Sequence, residues 1–72
     1  MGKLRTLSGK QVCQILKEHG FIEVRKRGSH IAMQCKTADR ALTVPVPDHK
    51  EIRVGTLLSI VRQSGLTRSE FE

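Results

Sequence analysis

The chain has 72 residues, thirteen Lys and Arg against seven Asp and Glu for a formal charge of +6, and two aromatic residues, Phe21 and Phe71. A chain this short builds one small core, because folding at this size buries only about 60% of the surface that the unfolded form exposes; one domain over residues 1–72 is expected and a second is excluded. The cations are spread along the whole chain rather than gathered in a tail. That distribution predicts a folded basic face and makes nucleic acid the leading partner class, ahead of an anionic membrane or an acidic protein.

No run approaches the roughly 18 apolar residues that span a bilayer, and the start "MGKLRTLSGK" lacks the apolar stretch of a secretory signal, so a cytoplasmic protein without a membrane partner is expected. "MGKLRT" formally matches the pattern for myristoylation at Gly2, a short pattern that recurs by chance. Cys13 and Cys35 show no Cys-x-x-Cys spacing and read as buried thiols rather than a disulfide or a zinc site.

The first element begins in "LSGKQVCQILKEHG", where Ser8 and Gln11 have capping-box spacing and Leu7 can staple onto Val12. Val12, Ile15, Leu16 and His19 recur on one face and Gly20 occupies a C-terminal left-handed position, which predicts a helix over residues 9–19. Three short strands follow. "FIEVRKR" is β-prone at its start, and "HIAMQC" and "RALTVPV" alternate, with Gly28-Ser29 as the first turn and "KTADR" as the second hairpin loop. Ile31, Met33 and Cys35 would face the core with Leu42, Val44 and Val46, while His30, Ala32 and Gln34 face the other way. Pro45 and Pro47 end the third strand or place it at an edge.

"DHKEIRVG" reads as a loop, after which Thr56 can cap a second helix whose apolar stripe is Leu57, Leu58, Ile60 and Val61 and whose end is Gly65. Thr67 and Glu70 repeat the capping-box spacing for a last turn that Phe71 pins to the core. The order helix, three strands, helix predicts an α+β fold: an antiparallel sheet with both helices on one face and the other face exposed.

His30 is the leading candidate for chemistry, because imidazole can both take and give a proton near neutrality. Arg25, Lys26 and Arg27 precede it, and across a tight turn such cations can hold a phosphodiester and stabilise the added charge of a five-coordinate phosphorus. Gly28 allows close approach of a sugar-phosphate backbone, and the Ser29 hydroxyl can donate to a phosphate oxygen. A half-exposed polar histidine beside a solvated basic face is the competing reading of the same residues. His19 suits the C-terminal end of a helix dipole. His49, in a loop after a strand and next to Asp48, is a second candidate proton carrier. The His and Cys positions show no recognised metal-ligand spacing, so neither a metal nor a cofactor is expected. With no Trp or Tyr, stacking on aromatic platforms is disfavoured, which leaves backbone and groove recognition.

The segments "LSGKQVCQILKEHGF", "RKRGSHIAM" and "LTVPVPDHKEIRVGTLLSIVRQSGLTRSEF" resemble, in that order, the HicA family of small toxins. The resemblance covers nearly the whole chain, and its most specific parts are the Gly-Phe after helix one, the Gly-Ser-His triplet, the "TVPV" strand and the "GTL..I.RQ.GL" helix. It implies a fold similar to the double-stranded-RNA-binding domain and ribosome-independent endonucleolytic cleavage of messenger RNA, held in check by a HicB-type antitoxin. It also implies that the catalytic histidine of the Gly-Ser-His motif is His30; the setting of His49 is shared by many members, and the pattern is loose at Arg25, Lys26 and Arg27. The reading is a toxin of a toxin-antitoxin system, a metal-independent endoribonuclease that uses His30 as general base or acid. Water or His49 supplies the second proton transfer, and the antitoxin occludes the site. The alternative is a noncatalytic double-stranded-RNA-binding module on the same basic face.

Overall fold

Helix α1 (Gly9–Glu18) starts on a complete capping box: Ser8 Oγ accepts from the Gln11 N–H at 3.1 Å and Gln11 Oε1 accepts from the Ser8 N–H at 2.8 Å. Two of the N–H groups left open at a helix start are thereby satisfied. Leu7 and Val12 are both buried in the core, and the chain leaves α1 through His19 and Gly20, the latter at φ 92°. The computed structural model describes residues 5–72, so the pattern at Gly2 falls outside the described residues.

Strands β1 (Ile22–Arg27), β2 (His30–Lys36) and β3 (Ala41–Pro47) pair antiparallel in the order β1-β2-β3. Gly28, at φ 59°, supplies the left-handed residue of the first turn, and the second closes through the Thr37 N–H donating to the Arg40 carbonyl at 2.8 Å. The register steps from Glu23↔Met33 to Arg25↔Ala32, leaving Val24 as a bulge residue. Ile31, Met33, Val44 and Val46 are buried, with Cys35 and Leu42 packed at the margin of the same cluster, as the alternation predicts. Pro45 and Pro47 lie in an edge strand, where a missing N–H costs no ladder bond. The α-β-β-β-α order and the three-stranded antiparallel sheet make this an α+β fold like the double-stranded-RNA-binding domain.

Helix α2 (Val54–Ser64) starts two residues before Thr56, with Arg53 as a cap that makes no side-chain bond. Thr56 is therefore inside the first turn rather than the cap. The reason is tertiary: Ile52 is buried and its N–H donates to the Leu7 carbonyl at 2.8 Å, which anchors the chain just ahead of the helix. Gly65 ends α2 at φ 75°. Thr67 and Glu70 form no capping box either. The Thr67 hydroxyl pairs with Ser69 Oγ at 2.9 Å, and Glu70 reaches across to His19 Nε2 at 2.9 Å, so a charge partner just past the end of α1 takes the carboxylate that a cap would use. Phe71, in the 3₁₀ turn Arg68–Phe71, is fully buried.

Among the described glycines, Gly9 makes the tightest approach to another part of the backbone. A Cβ there would overlap the Pro47 carbonyl oxygen and stand 2.9 Å from Asp48 Cα, while the Gly9 N–H donates to the His49 carbonyl at 2.8 Å. Gly9→Ala is expected to lower the melting temperature even though alanine is the better helix former by about 1 kcal/mol. Gly55→Ala in α2, where nothing beyond the helix's own backbone and chain neighbours lies within 4 Å of the added atom, is expected to stabilise by about 0.4–1 kcal/mol. Thermal denaturation of the two variants side by side checks the opposite signs.

His19 joins α1 to the C-terminal turn. Its Nδ1 donates to the Ile15 carbonyl at 2.8 Å and its Nε2 faces Glu70, and these two partners raise its pKa, the backbone bond contributing most. Because the folded value lies above the unfolded value of 6.5, the stabilisation is fully present below the unfolded value and is lost as pH rises through the folded one. The stability difference between wild type and His19→Gln is thus expected to shrink as the pH is raised between about 5 and about 8, which denaturant midpoints across that window measure.

Candidate active site

His30 opens β2, the central strand, and stands directly across from Arg27 on β1 and Pro47 on β3. Since its neighbour Ile31 is buried against the helices, the exposed imidazole belongs to the opposite, open face of the sheet. The turn before it is held from one side: the Ser29 carbonyl accepts the Asp48 N–H at 2.6 Å, tying the tip of the β1-β2 hairpin to the segment that follows β3. Apart from its own chain neighbours, nothing described lies within 4 Å of the position a Cβ would take at Gly28, so the tip is open to approach. The Ser29 side chain is exposed beside it.

The strand period sorts the three cations onto two faces. Arg27 is opposite His30 and Arg25 is opposite Ala32, so both share the open face with the imidazole, and cross-strand neighbours on one face stand about 5 Å apart at Cβ. Lys26 is opposite buried Ile31 and turns to the helix side, where its Nζ lies 3.2 Å from Asp48 Oδ2 and it borders a depression with Lys10 and Lys17 of α1. The structure thus assembles Arg25, Arg27, Gly28, Ser29 and His30, and removes Lys26 from that group.

His49 is exposed but borders a different depression, shared with Ser8, Lys10, Asp48 and Lys50, and its carbonyl holds the first turn of α1. His19 is committed to Ile15 and Glu70. Both cysteines are free; burial, and then the nearby Glu23 carboxylate, push the Cys13 thiol up and keep it protonated. Among the described residues no three His, Cys, Asp or Glu side chains form a group suited to a metal ion, and no helix is long and apolar enough to cross a membrane.

Sequence reasoning missed the other side of the site. His30 borders a depression of about 220 Å³ whose remaining walls are Pro45 and Pro47 of β3, Thr56, Ser59 and Gln63 of α2, and Ile60 at its base. The prolines were legible, since the alternation that buries Val44 and Val46 turns Pro45 and Pro47 to the face of His30. The spacing of Thr56, Ser59 and Gln63 marks one side of a helix, but nothing in the sequence says that this side abuts the open face at the edge of β3.

A search of curated proteins finds no match. A family model, that of the HicA toxin of bacterial toxin-antitoxin systems, matches residues 9–66. That span runs from the first residue of α1 through all three strands and past the glycine that ends α2. It includes the turn that carries His30, and on the extent of this match the chain belongs to the HicA toxin family, whose members act beside an antitoxin.

Proposed function

We propose that this toxin is an endoribonuclease that cleaves messenger RNA in the cytoplasm, with His30 carrying a proton in the reaction. The observation that carries the reading is the exposed imidazole on the central strand with Arg27 directly across from it and the open Gly28-Ser29 turn beside it. A phosphodiester laid on this face has two guanidinium groups and a hydroxyl within its reach, and Arg presents forked donors that match phosphate oxygens.

In the reaction, the ribose 2′-oxygen attacks the adjacent phosphorus and loses its proton to a base; the O2′–P bond forms as the P–O5′ bond breaks. The 5′-oxygen leaves with a proton from an acid, giving a 2′,3′-cyclic phosphate and a 5′-hydroxyl. This chemistry generates its nucleophile from the substrate and calls on no metal. One imidazole serves as base or as acid within a single transition state, not both. With His49 bordering a separate depression, water is the favoured second carrier. Arg25, Arg27 and Ser29 hold the scissile phosphate and offset its growing charge. A HicB-type antitoxin would silence the toxin by covering the same face with acidic or polar groups that replace the phosphates; RNA and antitoxin then compete, and a ternary complex with uncleavable RNA would rule that out.

Cleavage is expected to persist in excess chelator, to yield 2′,3′-cyclic phosphate ends, and to stop when the 2′-hydroxyl is replaced by hydrogen. His30→Ala is expected to lower the cleavage rate by about 10²–10⁴-fold while RNA binding is kept, as measured by gel analysis of end-labelled RNA and by fluorescence anisotropy. Activity that vanishes with chelator and returns with magnesium, or an equally active His30→Ala, would refute the reading.

The sorting of cations gives a second expectation. Replacing Arg25 and Arg27 together with Ala should flatten the dependence of log binding constant on log salt by about 1.4, since each phosphate contact on a single strand contributes about 0.7. Lys26→Ala should change that slope by less than one contact. Anisotropy titrations at several salt concentrations separate the two.

A further inference from the structure

We propose that the depression between His30 and helix α2 is a nucleobase subsite that receives a base next to the bond being cleaved and gives the enzyme its sequence preference; this rests on the RNA-cleaving reading above. The first argument is charge. The chain carries +6, and three other depressions on its described surface each include at least one Lys or Arg, whereas this one has only hydroxyl, amide and apolar walls beside the imidazole. Such a pocket offers a phosphate nothing that Arg25 and Arg27 do not offer better. An uncharged aromatic ring suits it.

Size and wall chemistry agree. At about 220 Å³ the depression is smaller than the roughly 300–1,000 Å³ of sites for drug-sized ligands, which fits one base rather than a larger group. Pro45 and Pro47 form an apolar side against which a base can lie through dispersion contacts. On the other side, Thr56, Ser59 and Gln63 follow one another along a single side of α2. The Ser59 hydroxyl already donates to the Gly55 carbonyl at 3.2 Å, so it presents an oxygen acceptor to the pocket. The exposed Gln63 amide presents a donor and an acceptor together, the pattern needed to pair with the edge of an unstacked base. Absence of Trp and Tyr argues against an aromatic stack, and here proline rings and an amide take that place.

Position completes the case. Arg25 and Arg27 lie to the β1 side of His30 and this depression lies to the β3 side. An RNA strand crossing the sheet can therefore keep its phosphates over the arginines, its scissile bond at His30 and one base against α2.

The test is cleavage of an RNA pool randomised around the scissile bond, with the cut ends sequenced, for the wild type, Gln63→Ala and Thr56→Val/Gln63→Ala. The wild type is expected to favour some bases over others at one position beside the cut by roughly fivefold or more, the lower end of a good paired contact. Both variants are expected to lose that bias while their melting temperatures stay at the wild-type value. An unchanged bias in the double variant overturns the proposal. A second measurement does not depend on cleavage: NMR titration of wild type and of His30→Ala with the four nucleoside 3′-monophosphates and with ribose phosphate. Base-dependent shifts at Thr56, Ser59 and the Gln63 amide support the subsite even if no RNA is cut, in which case the catalytic reading alone fails. Equal shifts with all four nucleotides and with ribose phosphate overturn the subsite.

Discussion

Gly9 lets the first turn of α1 lie directly on the backbone of Pro47 and Asp48, and that junction ties together α1, the β1-β2 hairpin and the segment that leads into α2. The Gly9 N–H holds the His49 carbonyl, the Ile52 N–H holds the Leu7 carbonyl, and the Asp48 N–H holds the Ser29 carbonyl. One short segment, residues 47–52, is thereby stitched to the start of α1 and to the tip of the β1-β2 hairpin, and it runs straight into α2. The tip that carries Ser29 and His30 is positioned by these backbone bonds rather than by packing of its own side chains, which leaves them exposed. A side chain at position 9 would wedge this junction open.

The second organising constraint is the two-residue period of a strand. In a chain with so many cations, alternation decides which of them share a surface. Arg25 and Arg27 go to the open face with His30, and Lys26 goes to the helix side, where Asp48 stands against it. That ion pair is half-exposed and is worth at most about 1 kcal/mol, so its consequence is positional: it keeps one positive charge away from the histidine. The open face then has a cationic side along β1 and a neutral side against α2. A sugar-phosphate chain and its bases differ in just this way.

Stability and the candidate site are largely separate in this molecule. The core is one cluster from Leu7 through Phe71, built by α1, the inner faces of β2 and β3, α2 and the last turn. The site residues of the open face contribute little to it, apart from Ile60 at the base of the depression. The candidate site lies on a sheet, with Ser29 and His30 exposed among the described residues. The family to which the chain belongs pairs toxin with antitoxin, and an exposed face is what the proposed control by a covering partner requires.

The amino-acid pattern was enough to place α1, its capping box, the three strands, both turns and the core face of the sheet, because each depends on neighbours within a few residues: Ser8 with Gln11, Gly28 with Ser29, Val44 with Val46. It also singled out His30 and the face on which it lies. The start of α2 and the partner of Glu70 could not be read in this way. Local spacing offered Thr56 as a cap and Thr67 with Glu70 as a capping box; Arg53 takes the cap of α2, where Ile52 bonds to Leu7, and Thr67 holds the cap position of the last turn without the box, because Glu70 turns to His19. The separation of His49 from the depression beside His30, the pairing of Lys26 with Asp48, and the wall that α2 raises beside His30 were likewise decided only by tertiary structure. Period and propensity say which side of an element is polar; which neighbour that side meets depends on how helices pack across a sheet edge, and that is set by the whole core at once.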